Sequence, residues 1–168
     1  MIKVYLAGPD VFYPNCGAIF EERIRLCAAL GLTALIPVDE TLDTAPAIFE
    51  NNVALIEQAD GIVANISPFR GPHCDVGTAW EMAYATAKGK PVFAWSSDPR
   101  PLVARIRAVG KDGRDAEGHL AENFGLAENL MIGESIVGKK AHATFEAAAR
   151  AAAAHFKTQG AARKPARA

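Results

Sequence analysis

Two carboxylates, Asp75 and Glu81, stand in the stretch CDVGTAWEMAYATAKGK (74–90). Between Val76 and Ala87, Glu81 is the only residue that is ionised near neutral pH. A carboxylate buried without partners is costly to desolvate, so Glu81 must reach solvent, find partners or do chemistry. On a helix, positions 77, 78, 81, 84 and 85 share one face. Gly77 would then leave room in front of Glu81. Asp75, Gly77, Thr78 and Glu81 would line a notch with carboxylates at its rim and floor. Carboxylates so placed suit glycosyl chemistry, in which one attacks an anomeric carbon and another group handles the proton. Position alone allows, and cap statistics favour, a plainer arrangement in which Asp75 caps the helix and Glu81 faces solvent.

The elements that must hold these residues can be read from apolar runs and breakers. Strands are expected at 2–8, 32–37, 60–66, 90–95 and 128–132, each a short continuous apolar run. Helices are expected at 17–31, 44–59, 75–88 and 141–157, with a short one near 100–108. In the first helix Ile19, Phe20, Ile24, Cys27 and Leu30 form the apolar stripe. Strands alternating with helices imply an α/β fold: a single domain with a flavodoxin-like or Rossmann-like, doubly wound, five-stranded parallel sheet. The domain is expected to span 1–157, and the basic segment 158–168 to be a disordered tail. In such folds ligands bind beyond the carboxyl ends of the strands. That directs attention to loops 8–16, 37–44, 67–75 and 96–101, and to the segment after 132.

The polar and aromatic residues at those ends are Tyr5, Gly8, Pro9, Asp10, Asp39, Asn51, Asn52, Asp75 and Glu81. The set has no lysine at its centre. No G-x-G-x-x-G follows the first strand and no G-x-x-x-x-G-K-[ST] occurs, so a cofactor held through its phosphates is not expected. His73, Cys74 and Asp75 are consecutive and would not converge on one tetrahedral ion, so no metal is expected. Arg70, in SPFRG, could bind substrate or cap a carbonyl. The chain has 168 residues, half of them apolar, and a net charge of −1. Neither a nucleic-acid polymer nor an anionic membrane is indicated as partner. Three cysteines without a C-x-x-C pair, no long apolar run and no apolar leader in MIKVYLAGPD give the expectation of a cytoplasmic protein.

Four stretches, taken in order and at their intervals, resemble the nucleoside 2-deoxyribosyltransferase family. They are VYLAGPDVF (4–12), LIPVDE (35–40), NNVALIEQADGIVANISPFRGPHCDVGTAWEMAYATAKGKPVF (51–93) and FGLAENLMI (124–132). The resemblance implies that Glu81, the last residue of D-x-G-x-x-x-E, attacks C1′ of a 2′-deoxynucleoside. A deoxyribosyl ester then forms and a second, free nucleobase attacks it. It further implies that Asp75 holds the sugar hydroxyls, that Tyr5 orients Glu81, and that Asp39 recognises or protonates the base. Gly8, Pro9, Asp10 and Phe12 of the first motif, with Asn52, Ser67, Arg70 and Gly77, are implied to contact substrate. Asn129 matches an asparagine that reaches a neighbouring subunit's sugar site, which implies a homo-oligomer. Val53 stands where some members have an aspartate proposed as proton donor, so Asp39 would inherit that proton.

Two rivals remain at this level. A hydrolase of 2′-deoxynucleoside 5′-monophosphates is disfavoured because GPDVFYPN carries Asp10 and no basic residue precedes Arg23 after it, and a rim carboxylate repels phosphate. A non-catalytic nucleoside- or nucleotide-binding domain has no use for a carboxylate under the sugar carbon. Segment 96–127 could be a lid that excludes water or an oligomer contact.

Overall fold

A computed structural model describes residues 1–162, with side chains described through residue 160. The sheet is built from β1 (Ile2–Ala7), β2 (Leu32–Leu35), β3 (Gly61–Asn65) and β4 (Val92–Trp95). All pairs are parallel and the order is β2-β1-β3-β4. Successive side chains on a strand face opposite ways, and the core divides accordingly. Tyr5 and Ala7 of β1, with Ile62 and Ala64 of β3, join Ile56 of α2 (Ala45–Gln58) and Met82 and Ala85 of α3 (Val76–Ala87). Val4 and Leu6, with Val63 and Phe93, join Phe20 and Cys27 of α1 (Cys16–Ala29) and the alanines of α5 (Phe145–Ala162). The sheet is therefore covered on both faces. In α5, Ala148, Ala149 and Ala152 are fully buried, and their small side chains let the helix approach β3 and β4 closely.

β2 and β3 flank β1 on opposite sides, so the chain reverses its direction of travel across the sheet at β1. Such a switch point opens a crevice at the carboxyl ends of the two strands concerned, here β1 and β3. Tyr5 lies in β1 opposite Ile62 of β3, on the face that α3 covers.

Among the described residues the sheet has four strands, where five were expected. The run 128–132 is not a strand. Asn129 caps a short helix, α4 (Leu130–Gly133), its side-chain oxygen accepting from Met131 N at 3.0 Å. Local Asx bonding outcompetes a short run with three apolar residues, Leu130, Met131 and Ile132, whose periodicity cannot by itself separate strand from helix. The fifth position, beside β4, is filled later in the chain by two single parallel bridges, Val92 to Ile136 and Trp95 to His142. Gly138 and Lys139 lie between those bridges in left-handed backbone, which interrupts any continuous strand. The short helix expected near 100–108 is one 3₁₀ turn, Leu102–Ala104, and a second, unexpected turn covers Pro9–Phe12. The last helix begins only at Phe145. It runs through Ala162, past the expected boundary at 157; residues 163–168 of the expected tail lie outside the described residues.

Candidate active site

Asp75 does cap α3: its Oδ2 accepts from Thr78 N at 3.1 Å and lies 3.4 Å from Thr78 Oγ1. Gly77 leaves room beside it: a Cβ there would sit 3.0 Å from Asp75 Oδ2, and the carboxylate would have to shift by a few tenths of an ångström. Glu81 does not simply face solvent. It turns toward the sheet, and the Tyr5 hydroxyl donates to its Oε1 at 2.5 Å. Tyr5 is fully buried within β1, so sheet and helix register together fix this pair. Burial pushes the Glu81 carboxyl up to about 7; the Tyr5 hydrogen bond opposes that rise and the negative charge of Asp75 adds to it. Burial, and then the Glu81 charge, push the Tyr5 phenol far above its ordinary value, so it stays a neutral donor.

A second group gathers past the end of β2 and along the middle of α2. Asp39, Asn51 and Asn52 line a pocket of about 170 Å³ with Val11, Cys16 and Ile48. The Oδ1 of Asn52 is buried there without a hydrogen-bond partner among the described residues. Buried acceptors are normally satisfied, so this atom is available to a ligand's N–H or O–H. Asp39 accepts from Thr41 Oγ1 at 2.6 Å and from Thr41 N at 3.0 Å, which hold its carboxyl below the usual range. It is therefore ionised at neutral pH, an acceptor rather than a proton donor.

Asp10 departs from expectation. It is 2% exposed and does not form a charged rim. Arg23 grips it with two bonds, Nη1 to Oδ2 at 2.6 Å and Nη2 to Oδ1 at 2.9 Å, and Asn65 Nδ2 lies 3.1 Å from both oxygens. The Arg23 guanidinium lies over the rings of Trp95 and Phe145. Asp10 thus ties the loop after β1 to the end of β3 and to α1. Gly8 makes the bracket possible, since a Cβ there would come within 2.6 Å of Asp10 Oδ2 and 2.7 Å of Asn65 Cβ. Pro9 is buried beside it. Ser67 is also structural in its contacts: its amide donates to Asn65 Oδ1 and its hydroxyl accepts from Ser97 N at 2.9 Å.

Among the described residues Arg70 caps no carbonyl. It has left-handed backbone, its guanidinium lies over Phe69 and Phe12, and among the described residues it makes no ion pair. Phe12 is half exposed and stacks on Phe69 at 5.5 Å. Arg70 and Asp75 line one pocket of about 290 Å³. The side chains of His73, Cys74 and Asp75 diverge. His73 turns to Glu128, Cys74 enters the core with its thiol pushed up to about 12 by burial, and Asp75 caps α3. Asn129 is apart from this group; its Nδ2 donates to Glu122 at 2.7 Å. A roomier cavity of about 590 Å³, between Pro99, Gly125 and Lys139–Ala143, holds none of the expected site residues.

Sequence reasoning missed Arg23, Asn65 and Glu128. For Arg23 the signal was present. It falls on the Phe20–Cys27 stripe at helical spacing, whereas Ile24, assigned to that stripe, is 40% exposed.

A parallel α/β domain with a tyrosine–glutamate pair at its switch point is a recognisable class, and the similarities are specific. Residues 4–131 match the family described as nucleoside 2-deoxyribosyltransferase, and the chain belongs to that family. A solved 2-desoxiribosyltransferase from Leishmania mexicana superposes with a TM-score of 0.80 at 36% identity, over 92% of this chain and 99% of that one. A protein of Thermofilum pendens, named as a candidate 2′-deoxynucleoside 5′-phosphate N-hydrolase, is 31% identical over 142 residues, 80% of this chain and 90% of that protein. A 2-deoxyribosyltransferase from Bacillus psychrosaccharolyticus, at 24% identity and a TM-score of 0.51 over 80% of this chain and 82% of that one, shares the fold.

Proposed function

We propose that this chain transfers 2-deoxyribose between nucleobases of 2′-deoxynucleosides through an ester on Glu81. The observation that carries the reading is the 2.5 Å bond from Tyr5 to Glu81, within the D-x-G-T-x-x-E stretch of a family member. One Glu81 oxygen attacks C1′ and the C1′–N bond breaks. Its electron pair leaves with the base, which takes up a proton. A nitrogen of the incoming base then attacks C1′, the ester C1′–O bond breaks, and Glu81 regains its carboxylate. Tyr5 directs one oxygen of Glu81 and leaves the other to react. Asp75 holds the sugar hydroxyls, with Gly77 keeping the space above clear. Asp39 and Asn52 read the base edge from the pocket they share. Phe12 and Arg70 border the site from the loops after β1 and β3. No cofactor enters the scheme.

The enzyme is read as a cytoplasmic homo-oligomer in which Asn129 serves a neighbouring subunit's sugar site. Supporting this are the exposed apolar side chains of Met131, Val76 and Trp80 on α3 and α4. Among the described residues, no helix is long and apolar enough to cross a membrane.

A second reading has specific support. With water in place of the second base, the same Glu81 ester gives hydrolysis, and the donor could be a 5′-monophosphate. The relative from Thermofilum pendens supports it. So does the neutralisation of Asp10 by Arg23, which removes the charge argument against phosphate. The deciding experiment incubates the protein with thymidine or deoxyinosine, with and without adenine, and with the matching deoxynucleotides. Deoxyadenosine formed only with adenine supports transfer. Free base released equally with or without adenine, fastest from the nucleotide, supports the hydrolase. Neither product from any donor overturns both.

A further inference from the structure

We propose that Glu128 is the positioning residue of the sugar site, clamping the chain at Cys74 so that Asp75 is presented in one geometry. Its carboxylate is completely buried and is surrounded by donors from three segments. From the loop before α3, His73 Nδ1 lies at 2.6 Å and Cys74 N at 2.8 Å. A carboxylate only accepts, so Nδ1 carries the hydrogen. From the start of α4, Asn129 N lies at 3.0 Å. From the segment after β4, Arg105 Nη2 lies at 3.5 Å, on a guanidinium 4% exposed. Arg105 in turn donates to the carbonyls of Asp98 and Ala127. One buried ion pair thus closes both ends of segment 98–127 and fastens it to the residue that precedes Asp75. Both ends of that segment are thereby anchored to the loop before α3.

A buried carboxylate needs its acceptor positions filled, and here both Glu128 oxygens accept, Oε1 from His73 and Asn129 and Oε2 from Cys74, which holds the three segments in one arrangement. Here the geometry specified is the backbone entry into α3. Asp75 gains its cap position there. None of these contacts touches Glu81 or Tyr5, so Glu128 acts through Asp75.

The role rests on Asp75 as the sugar ligand, and the experiment separates the two claims. Glu128→Gln presents an amide NH2 where a donor already points, so either His73 or Cys74 loses its acceptor. Expected is a KM for the deoxyribosyl donor raised about tenfold, with kcat changed by less than about threefold. In an Asp75→Ala background the same substitution should add no further rise in KM, whereas a general loosening of the fold would add its full effect. His73→Ala, which leaves Arg105 and Glu128 paired, should act in the same direction and less strongly. It carries the test if Glu128→Gln does not fold. An unchanged KM, or additive effects in the double variant, overturns the proposal. Amide hydrogen exchange at Cys74, compared between wild type and His73→Ala, needs no activity. Faster exchange confined to 73–76 supports the clamp even if no donor is turned over, and unchanged exchange overturns it.

Discussion

Two carboxylates lie beside the end of β1, Asp10 fully buried and Glu81 half-buried, and the molecule treats them in opposite ways. Asp10 receives a bidentate guanidinium and an asparagine amide. Glu81 receives a single phenol hydroxyl. The first has its charge matched by Arg23, with no oxygen left over for a substrate. The second has no cation beside it, and its pKa rises to about 7. Burial alone therefore does not mark a reactive group. What separates bracket from nucleophile is whether the partner neutralises the charge or only orients it.

The difference can be broken from either side. Glu81→Gln keeps the acceptor for Tyr5 and removes the nucleophile. Turnover should fall on the order of 10⁴-fold with the fold intact. Steady-state rates on a variant with an unchanged circular dichroism spectrum check this, and rates within tenfold of wild type would sink the covalent reading. Asp10→Ala should do the reverse. It leaves Arg23 buried without its partner, which costs about 3–5 kcal/mol of stability. The rate per folded molecule should change far less than in Glu81→Gln. Urea unfolding together with activity below the transition tests this; a variant as stable as wild type would show that the bracket contributes nothing.

The same contrast explains what the sequence could convey. Asp75 and Glu81 were legible because one helix carries both, and helical spacing places them without any tertiary knowledge. The Tyr5–Glu81 bond is long-range, yet the resemblance supplied it. Asp10 was misread because local sequence shows a carboxylate in a loop and conceals its partner until α1 folds back over it. The four strands were legible as apolar runs. The fifth failed because 128–132 is apolar in a strand-like way while Asn129 offers a stronger local alternative as a helix cap. Glu128, next to it, was placed only as the first residue of that strand; its partners lie far away in sequence, at His73, Cys74 and Arg105.

Glu81 should also leave its mark on how stability follows pH. Glu81 has its folded-state pKa raised from 4.5 to about 7. Below pH 4.5 it is protonated folded or unfolded and costs nothing. As pH rises from 4.5 toward 7 the unfolded chain ionises first, and stability falls by up to roughly 3 kcal/mol, then levels off. Glu81→Gln escapes this loss. The variant should match wild type in denaturant at pH 4 and exceed it at pH 8. An equal gap at both pH values would refute the raised pKa.

The smallest effect concerns the phenol. The Tyr5 hydrogen bond lowers the Glu81 pKa against the larger effect of burial. Tyr5→Phe removes that stabilisation of the carboxylate, so the pKa should move upward from about 7. Activity requires the ionised form, and its acid limb should shift to higher pH by the same amount. At pH 7 the variant should lose roughly tenfold in rate, the order expected for one hydrogen bond to a charged group. Part of the loss should return at pH 9, as the carboxylate ionises. A loss that is the same from pH 6 to 9 would mean that Tyr5 acts by aiming the oxygen alone. Recovery at high pH separates tuning from aiming, which the distance of 2.5 Å serves equally well.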